Sequence, residues 1–455
     1  MPAEVELYPY QKEDLETSRA FNGRFLLAWD MGLGKTLFCL KWLEREGVNA
    51  FPAVVVCPAS VKYNWAYEAM HYLGIRASVC EGRTPPTVGA FESFPRITII
   101  NQDILHWWVP YLIQHKVKTV ILDECQSYIH QTAKRTQAAR LLVRGCKNLI
   151  ASSGTPLTNR VFELWSVLNM LWPDEFPSEG KFQDRYCNRR LTPWGWDIKG
   201  SSNVGELRNR ILKLGMLRRK KTDVLKDLPP KVWRTVPCEI NMDEYREATD
   251  DFTSWLKQTG KVKSLKNEKL TRVGHLLRLA AKLKLRTPVE WANQFLSETD
   301  EKLIMFAVHH KAVDVLTRRI EFKSVKIDGT VADSKARQLA IEQFKTDPET
   351  RLFIGSSAGG VGVNGLQHAA SEIGIVEFPQ RPGDLAQWVS RAHRIGQKST
   401  VFINMFVAVG TIEEDLVKIL QQKQEVISSI LDGEDAGEDL NLYEELLRVI
   451  EGRIL

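Results

Sequence analysis

Short apolar runs recur along this chain, each closed by a polar or glycine-bearing turn, with helix-like stretches between them. In the first half these runs are Phe25–Ala28, Ala53–Cys57, Ile97–Ile100, Thr119–Leu122 and Asn148–Ala151. In the second half they are Leu303–Val308, Ser324–Ile327, Leu352–Gly355, Ile373–Phe378 and Val401–Phe406. Helices are expected between them, for example at Thr36–Glu46 and Ala133–Val143. Strands alternating with helices at this spacing imply parallel sheets joined by right-handed crossovers. Two such sets, separated by a helical and basic region from about 160 to 300, make an α/β chain of two parallel-sheet lobes. The expected division is a first lobe over 1–228 with a helical insertion at about 160–228, a basic helical region over 229–300, and a second lobe over 301–430. An acidic tail with a short helix follows at 431–455.

The chain's 455 residues leave room for such a pair of domains, and 44% hydrophobic with 26% charged residues is the balance of a globular protein. Its seven cysteines are odd in number and scattered, with no C-x-x-C pair, which argues against a disulfide framework or a zinc module and for a reducing cytosol. The start is not a signal peptide, and no apolar run approaches the roughly 18 residues that suggest a membrane span. A cytoplasmic protein of bacterial or phage-like type is expected, or a nuclear one in a eukaryote, with no membrane partner. Net charge is +6, but residues 431–455 carry eight acids and two bases, leaving about +12 on the first 430. That excess favours a polyanionic partner without requiring one.

The strongest chemical signal follows the first strand. Trp29-Asp30-Met31-Gly32-Leu33-Gly34-Lys35-Thr36 leads into a helical run, the strand–glycine turn–helix context of a phosphate-binding loop. Gly32 and Gly34 let backbone N–H groups curl around an anion, Lys35 reaches the β- and γ-phosphates, and the Thr36 hydroxyl ligates magnesium. The first glycine of the general pattern is replaced by Trp29. A second signal lies 88 positions beyond the lysine, where the apolar run Thr119–Leu122 ends in Asp123-Glu124-Cys125-Gln126. An acidic pair there suits a magnesium-coordinating Asp123 and a water-orienting Glu124. The third signal is the Gln387–Gln397 segment, where Arg391 and Arg394, three apart, are expected on one helical face. Arginines supplied from a second domain stabilise charge on a transferring phosphoryl group. Taken alone, the segment reads more plainly as an exposed basic helix.

In this order the motifs resemble the SWI/SNF-related helicase-like ATPases of superfamily two, across nearly the whole chain. Leu7-Tyr8-Pro9-Tyr10-Gln11 looks like the adenine-sensing Q motif, and Met31–Thr36 like the family's M-G-L-G-K-T. Val56–Ser60 with Asn64-Trp65, Ser153–Arg160, Ile327-Asp328-Gly329, Ser356–Asn364 and Arg391–Gln397 resemble the later motifs. Arg185-Tyr186-Cys187, Trp194–Asp197, Gly200–Asn203, Glu206-Leu207, Met216–Lys220 and Leu228–Lys231 look like the HepA-related annealing-helicase branch. The pattern departs at Gln126, where much of the superfamily has His, and at Val363–Leu366, which carries one extra glycine.

The resemblance implies two RecA-like lobes with the nucleotide cleft between them. ATP would be bound by Gln11, Met31, Gly32, Leu33, Gly34, Lys35 and Thr36, with Lys35, Asp123, Glu124, Arg391 and Arg394 catalytic. Gln126, Thr155, Gly360 and Gln387 would couple the lobes, whose closure and reopening would move the chain along double-stranded or forked DNA, acting as a monomer. Ser60, Lys62, Asn159, Arg160, Arg218, Arg219 and Ser357 are candidate DNA contacts. The basic stretch 257–286 reads equally as a DNA track or a solvated helical face, and most of the thirteen tryptophans read as core. An RNA-directed helicase and a degenerate, non-catalytic DNA-binding scaffold remain the alternatives.

Overall fold

Strands such as Ala53–Cys57 are buried along their whole length, which is how a strand reads when both faces of its sheet are covered. In this computed structural model the described residues are 5–86, 94–154, 156, 160–192, 195–198, 200–259, 266–331, 334–356, 365–379, 382–420, 446–447 and 449–452. Thr155, Asn159, Ser357, Gly360, Lys261, Lys263 and the acidic run at 431–445 lie outside them. The chain divides into two units, the boundary falling between Lys226 and Asp227.

The first unit is built on a seven-stranded parallel sheet of order β3-β4-β2-β5-β6-β1-β9. Its strands are β1 (Arg24–Trp29), β2 (Ala53–Cys57), β3 (Ser78–Val79), β4 (Ile97–Asn101), β5 (Thr119–Asp123), β6 (Asn148–Ser152) and β9 (Met216–Arg219). Alternate residues of β1 serve opposite faces: Phe25, Leu27 and Trp29 pack with Phe38, Trp42 and Trp65. Between β6 and β9 come helices and a small antiparallel hairpin of β7 (Arg190–Thr192) and β8 (Gly195–Asp197). β5, β6, β1 and β9 are neighbours, with Asp123 opposite Ser152 and Trp29 opposite Arg219. Four sequence-distant segments therefore end side by side at the carboxyl edge, where parallel sheets bind ligands.

The second unit carries a six-stranded parallel sheet, β10-β15-β14-β11-β13-β12. Its strands are β10 (Lys231–Cys238), β11 (Leu303–Ala307), β12 (Ser324–Ile327), β13 (Leu352–Ser356), β14 (Glu372–Ile375) and β15 (Val401–Ala408). Leu303, Met305 and Ala307 join one core, and Ile304 and Phe306 another, so here too both faces are covered. Residues 229–300 belong to this unit. Tyr245, Phe252 and Leu256 on helix Met242–Thr259, and Val273, Leu276 and Ala280 on helix Lys266–Lys284, pack on the sheet with Ile304 and Phe306.

That packing changes the reading of the basic stretch. Lys284 is fully buried, its Nζ donating to both Glu413 carboxylate oxygens at 2.8 and 2.6 Å and to Phe406 O at 2.6 Å. Lys269 is also buried and pairs with Glu451 at 2.7 Å. Arg272, Lys282 and Arg286 pair with Asp251, Glu244 and Glu290. A buried ammonium survives only when its donors are satisfied, so Lys269 and Lys284 face the fold rather than a polyanion. Trp29, Trp42, Trp65 and Trp388 are fully buried, as the core reading of the tryptophans expects. All seven cysteines are free and buried, and no described helix is long and apolar enough to cross a membrane.

Candidate nucleotide site

The phosphate loop starts where β1 ends. Gly32 and Gly34 take φ of +85° and +81°, the left-handed region in which a Cβ is strained, and Gly34 caps the helix Lys35–Glu46. Added bulk at Gly34 would also strike Gln11, whose Nε2 lies 2.7 Å from the position of that Cβ. Gln11 is buried: its Nε2 donates to Leu33 O at 3.0 Å and its Oε1 accepts from Tyr8 N–H at 3.0 Å. The Tyr10 hydroxyl donates to the same Leu33 carbonyl at 2.7 Å. The Lys35 ammonium donates to Trp29 O at 3.1 Å and Asp30 O at 3.3 Å, holding it over the loop.

Trp29 needs no glycine's freedom here, because it closes β1 with its ring turned inward. The indole is fully buried edge-on to Tyr10 and Phe38, and its Nε1 donates to Asp14 Oδ2 at 2.7 Å. Asp14 is itself buried and accepts from Arg219 Nη2 at 2.6 Å and Nε at 3.1 Å. One carboxylate thus joins the helix carrying Gln11, the strand before the loop and the end of β9. Sequence reading missed Asp14; the available signal was an acid three residues after Gln11, on the same helical face.

At the end of β5, Asp123 accepts from Trp65 Nε1 at 2.9 Å and from Glu124 N–H at 3.1 Å. Burial and the neighbouring Glu124 push its carboxyl up to about 6, against partial relief from Trp65 and Lys35. Glu124 takes φ +51°, unusual outside glycine and a strain of order 1 kcal/mol. Its Oε2 accepts from Gln126 Nε2 at 2.8 Å, and Gln126 Oε1 accepts from the Ser153 hydroxyl at 2.6 Å. Next to Ser153, a Cβ at Gly154 would stand 2.2 Å from Met31 Cγ and 3.2 Å from Lys35 Nζ, so only glycine lets β6 approach the loop this closely. The residues suit a divalent cation: a buried carboxylate crowded by a second one gains from a positive partner, and the Thr36 hydroxyl opens the adjoining helix.

Several candidates turn out to serve the fold. Arg218 is nearly buried and pairs with Asp30 at 2.5 Å while donating to Ala28 O at 3.0 Å. Burial works against ionisation of Asp30, but Arg218 and the Lys221 amide outweigh it and hold the carboxyl below its ordinary range. Arg219 is held by Asp14 and Glu13. Lys62 is buried and donates to Cys80 O at 2.9 Å. Lys62 and Arg218 were expected on the DNA but are turned into the first unit, where one caps a carbonyl and the other neutralises an acid, whereas Arg219 stays partly exposed beside its acids. Ser60 and Arg160 are partly exposed.

In the second unit Gln387 lies on the helix Pro382–Val389, but Arg391 and Arg394 lie beyond its end. The expected common helical face is absent, because the backbone tightens into short turns there: Arg391 N–H bonds Trp388 O, and Gln397 N–H bonds Arg394 O. Gln397 braces those turns, donating to Ala370 O and Ala392 O and accepting from the Lys398 and Ser399 amides. Asp328 is buried; burial alone would raise its carboxyl, but the Thr330 hydroxyl and amide with Lys326 bring it down to about 2.

A family model described as the SNF2-related domain matches residues 11–286, and one described as the helicase conserved C-terminal domain matches residues 287–396. The chain is 30% identical over 450 residues to the DNA annealing helicase and endonuclease ZRANB3 of Bos taurus, covering 94% of this chain and 41% of that one. It is 32% identical over 438 residues to the SWI/SNF-related matrix-associated actin-dependent regulator of chromatin subfamily A-like protein 1 of Bos taurus, covering 92% and 44%. The chain thus spans less than half the length of these curated relatives. Among solved structures, the Sulfolobus solfataricus SWI2/SNF2 ATPase core in complex with dsDNA is 22% identical with a TM-score of 0.44, covering 95% of this chain and 94% of that one. With the SNF2-related model running across more than half of its length, this chain belongs to the SNF2-related family.

Proposed function

We propose that the chain is an ATP-dependent DNA translocase acting on duplex or forked DNA, a motor able to re-anneal strands or remodel forks. The observation that supports this most is the hydrogen-bonded chain Ser153–Gln126–Glu124 set beside Asp123 and Lys35 on one sheet edge. Such a chain ties the residue that orients water to the segment after β6. The names of the relatives, a DNA annealing helicase among them, point to the same class of activity.

In this reading Gln11, Met31, Gly32, Leu33, Gly34, Lys35 and Thr36 bind ATP, with Lys35 neutralising the β- and γ-phosphates. Thr36 and Asp123 hold magnesium, which supplies charge neutralisation at the phosphates when bound. Glu124 orients the attacking water and takes up its proton, and Gln126 sets the direction of the Glu124 carboxylate. Arg391 and Arg394 supply positive charge to the transferring phosphoryl group, and Thr155, Gly360 and Gln387 belong to the coupling path. Ser60, Asn159, Arg160, Arg219 and Ser357 remain the proposed DNA contacts, binding phosphates and so reading little sequence. Of the expected domain division, the boundary near 228 and a second motor lobe over 301–430 are retained as part of the proposal, with the basic region over 229–300 built into that second lobe rather than standing between the lobes.

A steady-state ATPase assay with no nucleic acid, single-stranded DNA, blunt duplex, forked DNA and duplex RNA tests this. Duplex and forked DNA are expected to stimulate hydrolysis most, with weak displacement of a long annealed oligonucleotide. Stimulation by RNA alone indicates the RNA-directed alternative, and no hydrolysis under any condition indicates a scaffold.

A further inference from the structure

The residues between Arg185 and Glu206 are unused by the nucleotide site. They frame the hairpin β7–β8, whose six residues leave almost nothing buried: five are exposed and only Thr192 is partly covered. A two-stranded hairpin of this size is marginal in water on its own. Here its base is clamped. The Ser202 hydroxyl donates to Arg185 O at 2.9 Å and accepts from Asn188 N–H at 3.1 Å, while Asn203 Nδ2 donates to Arg185 O at 2.9 Å. Arg185 grips Glu206 through two nitrogens at 2.8 and 2.9 Å, and the Tyr186 hydroxyl donates to the same carboxylate. At Gly200 a Cβ would stand 3.0 Å from Asn188 Cβ and 3.3 Å from Cys187 O, so the two ends of the insert approach closely there.

What the clamp holds out is a platform. Leu191 and Trp196 are a cross-strand pair, hence on one face, and are 71% and 56% exposed. The Arg189 guanidinium stacks on the Trp196 ring with its carbon 3.9 Å from the centroid. Residues 181–200 carry five basic side chains against two acidic ones. An exposed indole braced by a stacked arginine in a basic setting matches the chemistry of single-stranded nucleic acid, whose bases stack on aromatic rings while its phosphates seek cations.

We propose that this hairpin is a binding site for single-stranded DNA, with Trp196 as the base-stacking residue, engaging the unpaired arm of a fork. The assignment rests on the reading of the chain as a DNA motor and supplies what blunt duplex alone does not use.

The test is fluorescence anisotropy with the full chain and three labelled DNAs: a blunt duplex, the same duplex with two thymidine arms, and free oligothymidine. Trp196→Ala is expected to weaken binding to the forked and single-stranded DNAs about tenfold, within the range for one lost base stack. Its affinity for blunt duplex stays at the parent value, and Trp196→Phe recovers most of the loss. Iodouracil placed in the arms is expected to photocrosslink to the 190–198 peptide of the parent chain and not of Trp196→Ala. The exposed ring leaves no cavity, so the variant melts with the parent. Equal losses on all three DNAs, no loss on any, or crosslinks confined to other peptides overturn the assignment. If the parent hydrolyses ATP on blunt duplex while Trp196→Ala shows no fork-selective loss, the hairpin assignment alone falls. If the parent binds none of the DNAs, both readings fall.

Discussion

Asp123→Asn is expected to stabilise the nucleotide-free chain while abolishing turnover. Keeping the Asp123 carboxylate ionised at neutral pH, with a folded value of about 6 against an ordinary 3.8, costs the fold about 3 kcal/mol. Asparagine removes that charge, but its single carbonyl oxygen cannot accept from both Trp65 Nε1 and the Glu124 amide, as the carboxylate does. Losing one of those bonds returns about 1–2 kcal/mol. A net gain of about 1–2 kcal/mol remains, which for a unit of this size raises Tm by about 2–8 °C. Because the folded value lies above the unfolded one, the penalty is fully present above pH 7 and fades as pH falls through 6 towards 4. Thermal unfolding in chelator without nucleotide, from pH 7.5 to pH 5, reads both effects. The variant should melt above the parent at pH 7.5, with the gap closing on acidification. A variant that melts below the parent at pH 7.5, or a gap that does not change with pH, shows that the buried Asp123 charge does not burden the fold.

Three further outcomes follow from the same geometry. Lys35→Ala should abolish turnover, and Glu124→Gln should keep nucleotide binding while losing hydrolysis, as equilibrium binding of a fluorescent ATP analogue alongside phosphate release will show. Arg391→Ala and Arg394→Ala should each cut turnover roughly a thousandfold, the low end for an arginine finger, with little change in ATP affinity; a loss confined to DNA binding assigns them to the polyanion surface instead. Asp14→Ala should destabilise the first unit by about 2–4 kcal/mol, somewhat below a fully buried pair because Arg219 keeps Glu13, and denaturant unfolding that moves by less than about 1 kcal/mol contradicts that.

The parallel sheets were legible because central strands such as Ala53–Cys57 are continuous apolar runs, while the edge strand Ser324–Ile327 shows the alternation of a half-covered strand; both agree to the residue. β9 and β10 were not, because Met216–Arg219 and Lys231–Cys238 are edge strands rich in charge and look like loop or basic surface. The phosphate loop and the acidic strand end were legible because their chemistry is local in sequence. The partners of Arg218, Arg219, Lys62 and Lys284 were not, because each acid or carbonyl lies far along the chain and only the fold brings it within reach. A cation's residue type tells its charge, not whether the fold has already neutralised it. Arg391 and Arg394 show the converse failure: helical spacing was present in the sequence, but the helix ends at Val389.

A motor of this kind moves along duplex DNA at the expense of ATP. Release of a third strand from a triplex on otherwise plain duplex measures that movement without requiring the duplex to open. The parent chain should release the third strand only with hydrolysable ATP, and Lys35→Ala should not release it at all. Hydrolysis on duplex with no release, or release only when a single-stranded track is supplied, would contradict ATP-driven movement along duplex.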